Sequence, residues 1–193
     1  SVDGCPTTKK VALVGLATDC TYWGIFGSKD AIQKHVLGIV NKASELYEST
    51  FKISLAVRNL TVIEANCSSG GTAATPWNVD CSPDFSITDR LNTFSKWRGK
   101  SQDKNAYWTL LTKCPTDNAV GLAWRGQLCR QGSAPNGGTN DTIAGTNVVV
   151  NGPTEWQIFA HETGHTFGAV HDCTPDQCPV KQSAQSCCPL KAN

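Results

Sequence analysis

Apolar and polar positions alternate along this chain with periods that name its elements. Lys10 to Ala17 is a short apolar run rich in Val and Leu, which predicts a buried strand. Ser28 can cap a helix, and Ile32, Val36, Ile39, Val40, Ala43 and Tyr47 then recur at helical spacing. From Phe51 to Ile63 the period drops to two: Phe51, Ile53, Leu55 and Val57 alternate with polar or small residues. The phase then shifts to Leu60 and Val62, so a bulge is expected near Arg58-Asn59. Cys67 to Pro83 reads as loop. Ser86 and Asp89 form a capping pair ahead of a second helix with Ile87, Leu91, Phe94 and Trp97 on one side. Ala106 to Thr112 and Val120 to Trp124 read as third and fourth strands. Gln131 to Gly145 is polar and glycine-rich, a connection more than a cleft wall. Asn147 to Asn151 is a fifth strand, and Thr154 is expected to cap a last helix running to about Gly168. Strands alternating with helices predict an α/β layer with a largely parallel sheet. No repeat or linker divides residues 1–193, which suit one domain with a sizeable core.

Composition narrows the setting. Ten cysteines lie scattered along the chain without a C-x-x-C pair, which favours disulfides in an oxidising compartment over a zinc ribbon or redox motif. Their connectivity is open, although adjacent Cys187 and Cys188 should take different partners. Sequons at Asn59, Asn66 and Asn140 agree with a secreted glycoprotein. No signal peptide is read, and Ser1 reads as a mature or trimmed start. Net charge is +1 with no basic stripe, so nucleic acid and anionic membrane are poor partners. The run Val11 to Ala17 is too short to cross a bilayer.

The chemistry concentrates in residues 161–172, His-Glu-Thr-Gly-His-Thr-Phe-Gly-Ala-Val-His-Asp. This is H-E-x-x-H-x-x-G-x-x-H-D. Residues four apart share a helix face, so His161 and His165 can grip one ion together. Gly168 can adopt the left-handed turn that ends a helix and returns His171 as a third ligand. Three protein ligands leave a fourth position for water, the catalytic arrangement of zinc. Glu162, beside the first ligand, can take a proton from that water and pass it to a leaving nitrogen. Asp172 is expected to fix the turn after His171 without a catalytic part. The chain has four histidines, and the remaining one, His35, reads as a helix side chain distant from the metal.

The long motif resembles that of the metzincin metalloproteases. Asp172 after the third histidine resembles the adamalysin or reprolysin branch, which includes the ADAM proteases and snake-venom enzymes. Lys10 to Ala17 is similar to that family's first strand, and Val120-Gly-Leu-Ala-Trp124 to its edge strand. Thr154-Glu155-Trp156 and the cysteine-rich stretch after His171 look most like secreted fungal ADAM-like proteases. The resemblance spans residues 9 to 190. It implies a twisted five-stranded mixed sheet with an antiparallel edge strand, flanking helices and a zinc-binding helix. An extended protein or peptide substrate would add to that edge along Gly121, Leu122 and Ala123. For Leu122 and Trp124, core packing is the competing assignment, and Trp124 is assigned to the core.

The chain departs from the family in one respect. Metzincins carry a methionine turn beneath the metal, and this chain has no methionine. The favoured explanation is a segment removed by cleavage or left out of this chain, because Cys187-Cys188-Pro189 resembles the stretch before that turn. A companion C-terminal fragment would then carry it; alternatively the cysteine-rich tail replaces it. The expected function is a secreted zinc endopeptidase with one catalytic Zn2+. Two alternatives stand beside it: a non-enzymatic, disulfide-rich binding module with structural zinc, and a zinc hydrolase acting on small amides. Calcium is not readable from these residues.

Overall fold

The computed structural model describes residues 8–65, 67, 71–101, 103–114 and 119–171. The elements in chain order are β1 (Lys10–Thr18), α1 (Cys20–Phe26), α2 (Lys29–Phe51), β2 (Ile53–Val62), α3 (Ile87–Arg98) and β3 (Tyr107–Thr112). They continue with β4 (Gly121–Ala123), β5 (Ala134–Pro135), β6 (Thr142–Ile143), β7 (Thr146–Val150) and α4 (Glu155–Phe167).

One mixed sheet organises them, in the order β2-β1-β3-β7-β4. The first four strands are parallel, and β4 alone runs antiparallel, against β7 at the edge. β3 and β7 are buried at every position, as central strands covered on both faces must be. One core gathers α2 and α4 over β1, with Val14, Leu16, Val36, Val40, Tyr47 and Phe159. The other lies between α3 and the opposite face, with Trp77, Leu91, Phe94, Leu110 and Val148. The expected bulge is present: Val14 pairs with Val57 and Gly15 with Asn59, so Arg58 is the extra residue. Ser86 and Asp89 close a reciprocal capping box on α3.

Several boundaries differ from the expectation. Phe51 ends α2 instead of opening β2, because Lys52 takes the left-handed conformation (φ 59°) and its N–H caps the helix. α1 has no counterpart in the hydrophobic periodicity; it is a two-turn helix that Asp19 caps through the N–H groups of Thr21 and Tyr22. Thr154 occupies the N-cap of α4, but its side chain makes no capping bond. Trp77 is wholly buried within the loop expected from Cys67 to Pro83 and packs edge-on against Phe94 and Trp97. Residues 131–145 contain the small β5–β6 ladder, pinned by Asn92 to Asp141 and Thr142.

Among the described residues two disulfides tie the connections: Cys20–Cys67 and Cys81–Cys114. Cys129 is exposed and unbridged among the described residues. Cys5, Cys173, Cys178, Cys187, Cys188, Asn66 and Asp172 lie outside them, with the rest of the tail after His171. No helix among the described residues is long and apolar enough to cross a membrane.

Candidate metal centre

α4 carries the site, and its sequence divides into two faces. Phe159, Ala160, Thr163 and Thr166 are buried against the sheet and α2. His161 and His165 lie on the other side, toward a cleft of about 830 Å³. Three hydroxyl contacts hold the helix in place. Tyr47 Oη donates to the Ala160 carbonyl (2.7 Å), Tyr107 Oη meets Thr163 Oγ1 (2.8 Å), and Asn147 Nδ2 donates to Thr166 Oγ1 (3.0 Å). Gly168 ends α4 at φ 113°, a region a β-carbon disfavours, and its N–H caps Gly164 and His165. The chain then bends and carries His171 back over the helix.

This bend closes a triangle of imidazoles. The Nε2 atoms of His161 and His171 are 3.1 Å apart, those of His165 and His161 3.0 Å, and those of His165 and His171 2.9 Å. A tetrahedral ion with Zn–N bonds of about 2.0–2.1 Å needs nitrogen edges of about 3.3 Å, so the triangle is within a few tenths of an ångström of that size. His165 Nδ1 lies 2.9 Å from the Ala169 carbonyl, which can only accept. The proton is therefore on Nδ1, and Nε2 presents its lone pair to the other two rings. Lone pairs converging this closely repel one another unless a cation lies among them. Burial first, and then the nearness of the titratable rings of His165 and His171, lowers the pKa of His161, which favours its neutral, metal-binding form. The donor set and its geometry fit a divalent ion.

Glu162 lies beside this triangle and is 5 % exposed. Its Oε2 is buried and makes no hydrogen bond among the described residues, which is costly for a carboxylate unless another species meets it. Burial pushes its pKa up to about 8.

β4 roofs the cleft. Val150 N–H donates to Val120 O and Trp124 N–H to Thr146 O, so alternate residues Val120, Leu122 and Trp124 direct their main-chain groups at β7. Gly121 and Ala123 therefore direct theirs outward, along the sheet's free edge. Of the three residues expected along a substrate, two offer edge groups, while Leu122 packs against the core beneath α3. Trp124 also belongs to that core, with Nε1 donating to Ser95 Oγ. His35 is remote from the triangle and bonds Glu155, at the start of α4, over 2.9 Å. Residues 131–145 do not line the cleft.

The structure adds cleft residues that the motif does not name. Gln157 and Ile158 lie four and three positions before His161, hence on the same helix face, a spacing the sequence already contained. Ala119, Val120, 58 % exposed, Arg125 and Val170 complete the lining.

Comparisons with known proteins show the family. The chain is 49% identical over 191 residues to disintegrin and metalloproteinase domain-containing protein B of Aspergillus fumigatus, covering 98% of this chain and 24% of that protein. It is 44% identical over 204 residues to the protein of the same name from Arthroderma benhamiae, covering 100% of this chain and 26% of the relative. The zinc metalloprotease mde10 of Schizosaccharomyces pombe is 26% identical over 197 residues, 93% of this chain and 37% of that protein. The chain thus spans about a quarter of the length of the first two relatives. Among solved structures, a chain of the "Structure of a chaperone-substrate complex" superposes with a TM-score of 0.60 at 12% identity, over 88% of this chain and 25% of that one, a likeness of fold alone. The family model Reprolysin_5 matches residues 7–193 throughout, and the chain accordingly belongs to Metallo-peptidase family M12.

Proposed function

We propose that residues 1–193 form the catalytic domain of a secreted zinc-dependent endopeptidase. One observation carries this reading: three imidazole nitrogens converge beside a buried carboxyl whose Oε2 has no partner among the described residues, under a strand edge with outward main-chain groups. His161, His165 and His171 would hold the ion. Zinc bound there supplies a Lewis acid and a water acidified to near neutrality. Glu162 accepts the proton from the water that attacks the peptide carbonyl, then returns it to the leaving nitrogen. Gly121 and Ala123 orient an extended substrate by pairing with its main chain. Asp172 is assigned to fixing the bend after His171.

The two disulfides support passage through an oxidising compartment. Of the sequons, Asn140 is the favoured glycan acceptor, being exposed at a loop tip. Asn59 lies within β2, where its Oδ1 accepts from Asn105 Nδ2.

Incubation of the zinc-loaded protein with an unfolded protein substrate tests the reading. Cleavage should stop with a chelator and in Glu162→Gln. Intact substrate in every condition would favour the binding module, and cleavage confined to small amides would favour the other hydrolase class.

A further inference from the structure

Among the described residues, the cleft holds one charged side chain besides the histidines and Glu162. Its other walls are Ala119, Val120, Ile158 and Val170, with Gln157 and β4, and Arg125 lies where β4 leaves the sheet. Arg125 is exposed, and its guanidinium has no hydrogen bond, ion pair or ring contact among the described residues. Its backbone is nevertheless held. Gly126 N–H donates to the His165 carbonyl (2.9 Å) and Leu128 N–H to Thr166 O (3.1 Å), which fastens this turn to the last turn of α4. The guanidinium is therefore a cation without a partner among the described residues, carried on a backbone fastened beside the metal ligands, in a trough whose other walls are mostly apolar.

The strand edge fixes what would reach it. Gly121 packs directly on the Glu162 carboxyl, so the bond being cut lies level with Gly121. Outward main-chain groups recur at Gly121 and Ala123, and Arg125 follows two residues further along the same edge, in the turn after β4. Antiparallel addition is the more stable pairing, and it directs the N-terminal half of a peptide from Gly121 toward Arg125. We propose that Arg125 is a specificity residue, selecting an acidic side chain about three to four residues N-terminal to the scissile bond. This rests on the peptidase reading above.

The test uses acetylated tetrapeptide hydroxamates, whose terminal group anchors on the zinc and fixes the register. Each carries Glu, Ala or Lys at the first or second residue, and binding to the zinc-loaded protein is followed by calorimetry. Because the pair is exposed, the Glu peptide should bind only about fivefold tighter than the Ala peptide, with the Lys peptide weakest. Arg125→Glu should reverse this order while zinc content stays the same. Equal affinities, or an order unchanged in Arg125→Glu, would overturn the assignment alone. Failure of all the peptides to bind would overturn it together with the zinc-peptidase reading.

Discussion

Gly121 lies so close over Glu162 that a β-carbon at residue 121 would stand 2.4 Å from Oε1 and 2.7 Å from Cδ. Real β-carbons do not approach other heavy atoms that closely, so one side chain would move. The carboxyl is the movable partner, being the far end of a flexible side chain. Gly121→Ala should therefore cost little stability yet displace the proposed base. We expect kcat/KM to fall about 10²-fold, the scale of a misplaced general base, with zinc content and Tm near those of the parent. Kinetics beside metal analysis and thermal unfolding check this. Unimpaired turnover would mean that the carboxyl does not act from this position.

Two substitutions separate base from ligand. Glu162→Gln keeps the shape and removes the proton acceptor, so the rate should fall by about 10²-fold or more while one zinc per chain is retained. His171→Ala removes one corner of the imidazole triangle, leaving His161 and His165 as two neighbouring nitrogens. Zinc should then be lost on dialysis, read by elemental analysis. Stoichiometric metal in that variant would refute the third ligand.

The triangle is legible from the chain because its three members lie within eleven consecutive residues, and helix geometry with one glycine bend suffices to converge them. The amphipathic α2 and α3 and the strands β1, β3 and β7 are legible for a similar reason, since each carries enough turns or alternations to reveal its period. Short elements are not. α1 has seven residues and little periodicity, although Asp19 before it and Gly27 after it were usable end signals. β5 and β6 contribute two residues each. The contact of Gly121 with Glu162 joins residues far apart in sequence, and it exists only because β4 lies antiparallel beside β7. No local pattern encodes that distance. Arg125 escapes notice for the same reason, since its turn enters the cleft through hydrogen bonds to α4.

The region beneath the first βα turn offers a stability test. Arg90 and Asp19 are 1% and 0% exposed and pair at 3.3 Å. Asp19 also accepts from the N–H groups of Thr21 and Tyr22, and Arg90 donates to the carbonyls of Val79 and Asp80. Arg90→Met would leave a buried carboxylate without its counter-ion, at a cost of about 3–5 kcal/mol. Adding Asp19→Asn should recover part of the loss, so the double variant should be more stable than the sum of the singles predicts. Denaturant unfolding of the four proteins checks the cycle, and strict additivity would show the two groups to be uncoupled.

Asp103 provides the pH prediction. Burial raises the pKa of its carboxyl, but donors outweigh burial and hold it below the ordinary carboxylate value. Those donors are Ser101 Oγ, the Asn105 N–H, the Arg98 guanidinium at 3.3 Å and Trp108 Nε1 at 2.9 Å. Arg98 is fully buried, so this carboxylate is its only charged partner among the described residues. A carboxyl whose folded-state pKa is lowered binds protons more readily in the unfolded chain. Its stabilisation is complete above the ordinary pKa of about 3.9 and fades as pH falls through the lower folded-state value. Asp103→Asn removes that charge at every pH and leaves Arg98 uncompensated, costing about 1–3 kcal/mol at neutrality. The gap between parent and variant should therefore be constant from pH 7 to about 5 and shrink below about pH 4. Urea unfolding at a series of pH values reads it. A gap that stayed constant down to pH 2.5 would show that packing around Trp108, and not the charge on Asp103, stabilises this corner.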